Sequence, residues 1–74
     1  MKVIETKTGD MYFVVPITDT TKLKVFGTYV IQNKNNMESI ATTIEKIENG
    51  KFTIFNNLGF DDFPIAEYNF FVPL

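Results

Sequence analysis

The chain has 74 residues, 45% of them hydrophobic and 15% aromatic, a length at which one core and no second folding unit is expected, so residues 1–74 are read as a single small β domain. The absence of cysteine excludes disulfides, thiolate metal ligands and thiol nucleophiles, and the absence of Arg and His removes the bidentate phosphate binder and the side chain that titrates near neutrality. Net charge is −2 and unevenly spread: residues 1–51 hold all seven Lys and sum to +1, whereas residues 52–74 hold Asp61, Asp62 and Glu67 with no Lys and sum to −3.

Val3 to Lys7 and Met11 to Val15 read as two strands joined around Thr8-Gly9-Asp10, where glycine supplies the backbone freedom of a tight turn. Met11-Tyr12-Phe13-Val14-Val15 is apolar throughout, so a central strand buried on both faces is expected there. Pro16 cannot donate to a ladder, and Thr18 to Lys22 is polar enough for an exposed loop. Strand signal resumes from Leu23 to Gln32, with Leu23, Val25, Tyr29 and Ile31 on one parity and Gly27 placed for a bulge or bend. Asn33-Lys34-Asn35-Asn36 reads as a turn.

Residues 37–49 support two readings. Met37, Ile40, Ala41, Ile44 and Ile47 fall on helical spacing, with Asn35 or Asn36 to cap the start and Gly50 to end it. Five of the eight residues from Ile40 to Ile47 are β-branched, which disfavours helix and suits a pleated sheet. Asn49-Gly50 before Lys51-Phe52-Thr53-Ile54-Phe55 is a strong hairpin signal and would set Ile47 opposite Phe52 and Ile44 opposite Phe55. The hairpin is the expected form, with an α+β fold carrying a helix at 37–49 as the alternative.

Asn56 to Gly59 reads as another turn. Phe60-Asp61-Asp62-Phe63-Pro64 is expected to be irregular, because proline biases the residue before it away from helix. Pro64 to Glu67 fits one 3₁₀ turn, followed by a last strand from Tyr68 to Val72 that Pro73 ends. Five to six short strands with bends near Gly27 and Gly59 suit a mostly β, antiparallel barrel or rolled sheet.

Gly27-Thr-Tyr-Val-Ile, then Ala41 to Ile54 with its Asn-Gly turn, then Phe63-Pro-Ile-Ala-Glu-Tyr resemble the middle and end of SH3-like small β-barrels. The resemblance covers residues 27–72 and is one of pattern. It implies a hairpin, a 3₁₀ element and a closing strand, and it carries no functional residues.

Catalysis would have to rest on carboxylates, Lys or Tyr in a cleft that shifts their pKa values. Asp61 and Asp62 are the only adjacent carboxylates, and in extended backbone their side chains point to opposite sides. No EF-hand-like spacing surrounds them, the four glycines are isolated, and Ser39, the single serine, has no histidine to activate it. The expectation is a chain that is not an enzyme and uses no metal and no cofactor.

For nucleic acid the aromatics exist, but the lysines are dispersed and nearly matched by acids, so phosphate neutralisation would be weak. Lys22, Lys24 and Lys34 form the tightest basic group and are the residues for that alternative, a nucleic-acid-binding barrel. Protein binding is the leading reading. Phe60, Asp61, Asp62, Phe63, Glu67 and Tyr68, continuing to Phe70 and Phe71, give aromatic anchors among acids, which suits a partner with a basic surface. The structural alternative is that several of these rings fill the core and the acids serve solubility. A homodimer through the Tyr68 to Val72 edge is a further option.

No apolar run approaches the length needed to cross a bilayer, and Met1-Lys-Val-Ile-Glu lacks the apolar stretch of a signal peptide. A cytoplasmic protein without a membrane partner is expected. Richness in Lys, Asn, Ile and Phe without Arg matches AT-biased coding, so the expected function extends to a viral (phage) or mobile-element inhibitor or modulator of a host factor.

Overall fold

The computed structural model describes residues 2–74. Eight strands follow one another: β1 (Lys2–Glu5), β2 (Met11–Ile17), β3 (Thr28–Asn33), β4 (Ser39–Thr43), β5 (Lys46–Glu48), β6 (Lys51–Asn56), β7 (Gly59–Pro64) and β8 (Tyr68–Pro73). Two 3₁₀ turns, Thr20–Lys22 and Ile65–Glu67, interrupt them, and no α-helix occurs among the described residues. The fold is mostly β, as the β-branched composition implies, and the helix at 37–49 does not form. No helix among the described residues is long and apolar enough to cross a membrane.

β1, β2, β8, β3 and β4 pair in that order into one antiparallel sheet, and β5, β6 and β7 form a second. The larger sheet curls strongly. At one end the Lys7 N–H donates to Ser39 O across 2.9 Å, so the turn after β1 meets β4 and the two edges of the curl touch. Ile4, Val14, Val30 and Phe71 pack inside it with Tyr12 beside them, and Lys2 Nζ lies 5.3 Å above the Phe71 ring. A second core lies on the outside of the same sheet, where Tyr29, Ile31 and Phe70 meet Leu23 and Ile44 and, from the smaller sheet, Phe52 and Ile54. Phe52 is its centre, with the rings of Phe63, Tyr68 and Phe70 at 5.7, 5.2 and 5.1 Å.

Tight turns fall where the sequence puts small or amide residues. Asn49 and Gly50 have φ of 53° and 74°, the left-handed pair of a two-residue hairpin whose twist matches its strands, and Ile47 lies opposite Phe52. Ile44 does not lie opposite Phe55. Its N–H donates to Gly27 O and its carbonyl accepts from Phe26 N–H. The chain therefore leaves the larger sheet at Ile44 and joins the smaller one by Lys46, which turns a corner between two layers.

Several other expectations are corrected. β2 is paired on both sides, with β1 and β8, but is neither the central strand nor buried on both faces, because Met11, Phe13 and Val15 are exposed. The strand buried on both faces is β3, where Tyr29, Val30, Ile31 and Gln32 are all buried. Leu23 to Gly27 is not strand, and Val25 is exposed while Leu23 is buried. Residues 60–64 are not irregular, since they complete β7. Pro73 does not end pairing, because the Leu74 N–H beyond it donates to Phe13 O. β8 pairs with β2 on one side and β3 on the other, so the Tyr68 to Val72 segment has no free edge for the homodimer that was one option there.

Gly27 precedes β3 at a close approach. A Cβ added there would lie 2.8 Å from the Tyr29 ring and 3.0 Å from Lys24 O. Tyr29 cannot swing away, since it is buried and its hydroxyl accepts the Lys24 N–H at 2.9 Å. Gly27→Ala should therefore cost about 1–3 kcal/mol in urea denaturation through overpacking. Wild-type stability in that variant would show that the contact is not tight.

Candidate functional site

The aromatic and acidic segment singled out in the sequence is divided by the pleat of β7. Register sets Phe60 opposite Phe55 and Asp62 opposite Thr53 on the outer face of the smaller sheet, and Asp61 opposite Ile54 and Phe63 opposite Phe52 on the inner face. The residues thus alternate in role as well as direction. Phe60 is exposed, whereas Phe63 is half-buried against the core and stacks obliquely on Phe52. Tyr68 packs edge-on against both rings, and Glu67 is exposed at the end of the second 3₁₀ turn.

The two carboxylates are held apart. Asp62 accepts the Thr53 hydroxyl at 2.6 Å on the outer face, and Asp61 accepts the Asn56 side-chain amide on the other. They do not converge on one ligand, and no group of three or more acidic residues gathers among the described residues. The only serine, Ser39, lies inside the curl of the larger sheet, where its buried hydroxyl has no hydrogen-bond partner among the described residues.

What the fold does bring together is the tip of the β6–β7 hairpin. The loop is Asn57-Leu58, between the register pair Asn56 and Gly59. The Asn56 side chain accepts the Leu58 N–H at 2.8 Å, and Gly59 takes a φ of 118°, open to glycine and strained for other residues. Leu58 is 98% exposed, Phe55 60% and Phe60 66%, and the Phe55 and Phe60 rings lie edge-to-face at 5.1 Å. Phe55 and Leu58 were not read as functional from the sequence, because they resemble strand and turn residues until pairing places them beside Phe60. The available signal was the hairpin register, which follows once Asn57-Leu58 is taken as a two-residue loop.

A separate cleft opens between the two sheets. Its floor is Ile31, Ile40, Phe52 and Ile54, its wall is Phe63 and Tyr68, and Lys7, Asn33 and Glu38 stand at its mouth. Partial burial, aided by the Glu67 charge and opposed by a hydrogen bond to Asn33, raises the Tyr68 pKa above that of an ordinary phenol.

The lysines of the nucleic-acid alternative do not share one groove. Lys22 and Lys24 border a depression with Ile17, Tyr29 and Val72. Lys34 borders another with Thr20 and Asn69 and donates its ammonium to Ala66 O at 2.9 Å. Comparison with known proteins finds no matching family model, no matching curated protein and no matching solved structure.

Two outcomes follow. Phe60→Ala should cost under about 1 kcal/mol, the worth of one exposed aromatic pair. Phe63→Ala should cost about 2 kcal/mol or more, because it opens a gap beside Phe52. Equal losses in denaturant titrations would contradict this division of labour. The raised Tyr68 pKa favours the neutral phenol in the folded state, so its contribution to stability is complete below the unfolded value near 10 and disappears as pH rises through the folded value. Thermal melts should show a loss of stability above pH ~10 that is smaller in Tyr68→Phe.

Proposed function

We propose that this chain is a non-enzymatic protein-binding module that uses the β6–β7 tip as its anchor and takes a partner with a basic surface. The observation that carries the reading is the exposure of Phe55, Leu58 and Phe60 side by side at one projecting turn. Apolar anchors with a polar surround are what concentrates binding energy at protein interfaces. Asp62 lies on the face of the anchors and Asp61 on the other, and Glu45 and Lys46 border the same depression as Phe60 and Asp62, so two acids against one lysine leave a rim that favours a basic partner surface over an acidic one.

Phe63 and Tyr68 support the tip from behind by fixing β7 against Phe52. Glu67 lies beyond the far end of β7 from the tip, beside Lys34, whose ammonium donates to Ala66 O, so the anchor's acidic rim rests on the residues nearer the tip. The order of Asn-Gly hairpin, 3₁₀ turn and final strand supports the SH3-like resemblance, a fold used widely for binding, though fold alone does not imply function. The AT-biased composition fits a cytoplasmic, phage-encoded modulator of a host factor within this reading.

The test is affinity capture from bacterial lysate with wild-type protein and with Leu58→Ser/Phe60→Ser, followed by titration of the captured protein. A partner with a basic face, lost at least about a hundredfold in affinity with the tip variant and weakened by salt, is the expected result. Capture indifferent to the tip, or salt-sensitive retention on DNA that Lys22→Glu and Lys24→Glu abolish, would overturn it in favour of the nucleic-acid alternative.

A further inference from the structure

The smaller sheet covers the outer face of the larger one over β3 and part of β8, and leaves the outer face of β1 and β2 bare. Strand register places Val3 beside Phe13 and Val15 beside Val72 on that face, and the Leu74 N–H bonds Phe13 O. With Met11 they form one apolar surface, each residue between 41% and 69% exposed. Together these six expose roughly 600 Å², the upper end of what a monomer's largest apolar patch reaches.

The charges around this face are arranged by end. Glu5 lies opposite Met11 in register and Asp10 adjoins it in the chain, so the end near the β1–β2 turn is acidic. Lys2 turns away over Phe71, and Lys7 stands at the mouth of the inter-sheet cleft with Glu38. At the opposite end, Lys22 and Lys24 border the depression that contains Ile17 and Val72. Asp19 is there too and stays ionised, because the Thr21 hydrogen bonds lower its pKa, so the two lysines outweigh it and leave that end net positive.

We propose that a second copy of this chain covers the face, in a two-fold dimer whose strands run antiparallel across the interface. Reversing one sheet over the other turns the acidic end of each copy toward the end of its mate that carries Lys22 and Lys24. A parallel arrangement would oppose acid to acid, so the charge pattern selects one orientation. The apolar area plus this polar rim approaches the about 800 Å² per partner of a standard stable interface. Such a contact is isologous and closes on itself, and sheets packed this way align within about 30°. A single domain of this size is marginal in stability, and covering the face adds a second apolar layer behind β2. The surface is separate from the β6–β7 tip, so the dimer and the proposed partner site stand or fall independently.

Sedimentation equilibrium of the full chain at tens of micromolar and above should give a dimer. Phe13→Glu should weaken dimerisation at least about a hundredfold, with an unchanged far-UV circular dichroism spectrum. Should that variant fail to fold, the charge pairs decide the matter. Glu5→Lys and Lys24→Glu should each weaken the dimer several-fold, and the two together should restore it, whereas Phe60→Ala should have no effect. A wild-type monomer at the highest concentration reached, a dimer that survives Phe13→Glu, or a double charge reversal that is no better than either single one would overturn the proposal.

Discussion

Phe70 and Phe71 are neighbours in β8, and the alternation of a strand sends them to opposite faces of the sheet. Phe71 closes the small core inside the curl with Ile4, Val14 and Val30, and Phe70 joins the larger core outside it with Phe52 and Ile31. β3 repeats the pattern in register: Val30 lies opposite Phe71 and Ile31 opposite Phe70. A disulfide-free chain of this length has little core to spare, so using both sides of two central strands is what allows a fold without cross-links. The other strands arrange themselves around that pair.

The same constraint decides which surfaces remain bare. Apolar side chains from β3 and β8 fill both cores, so those of the outer β1–β2 face and of the β6–β7 tip have nothing left to pack against. Twelve large hydrophobic side chains are exposed among the described residues, and nine of them fall in these two places. Scattered apolar exposure is ordinary, but contiguous exposure at defined sites marks contact surfaces. Both bare places therefore result from apolar side chains that the two cores cannot absorb.

Much of the architecture was legible in the sequence because it rests on local chemistry. Gly9, Asn49-Gly50 and Gly59 mark turns through backbone geometry available to few other residues, and Pro64 to Glu67 forms its 3₁₀ turn as the spacing indicates. The strand character of Ile40 to Thr43 followed from β-branching against an attractive helical period. The errors share one cause. Met11 to Val15 looked like a strand buried on both faces, yet burial depends on which sheets lie above and below it, and only one does. β3 includes Gln32, which a hydropathy pattern passes over, but its amide accepts from Asn69 at 3.3 Å and is satisfied in the interior. Ile44 fits a continuing hairpin, and leaves it only because Phe26 and Gly27 offer their backbone groups instead.

For the candidate site the division is similar. By itself the sequence determined that the fold is mostly β, that acids and aromatics follow one another after Lys51 with no further lysine in the chain, and that adjacent carboxylates at 61 and 62 diverge. These follow from composition, from turn chemistry and from the two-residue period of a strand, all properties of neighbouring residues. Tertiary structure alone decided that Phe63 and Tyr68 support the core while Phe60 stands free, that Phe55 and Leu58 join it, and that β8 is the centre of its sheet instead of an edge. Those outcomes depend on contacts between residues far apart in the chain, where each apolar side chain competes for a limited interior and register decides which ones enter it.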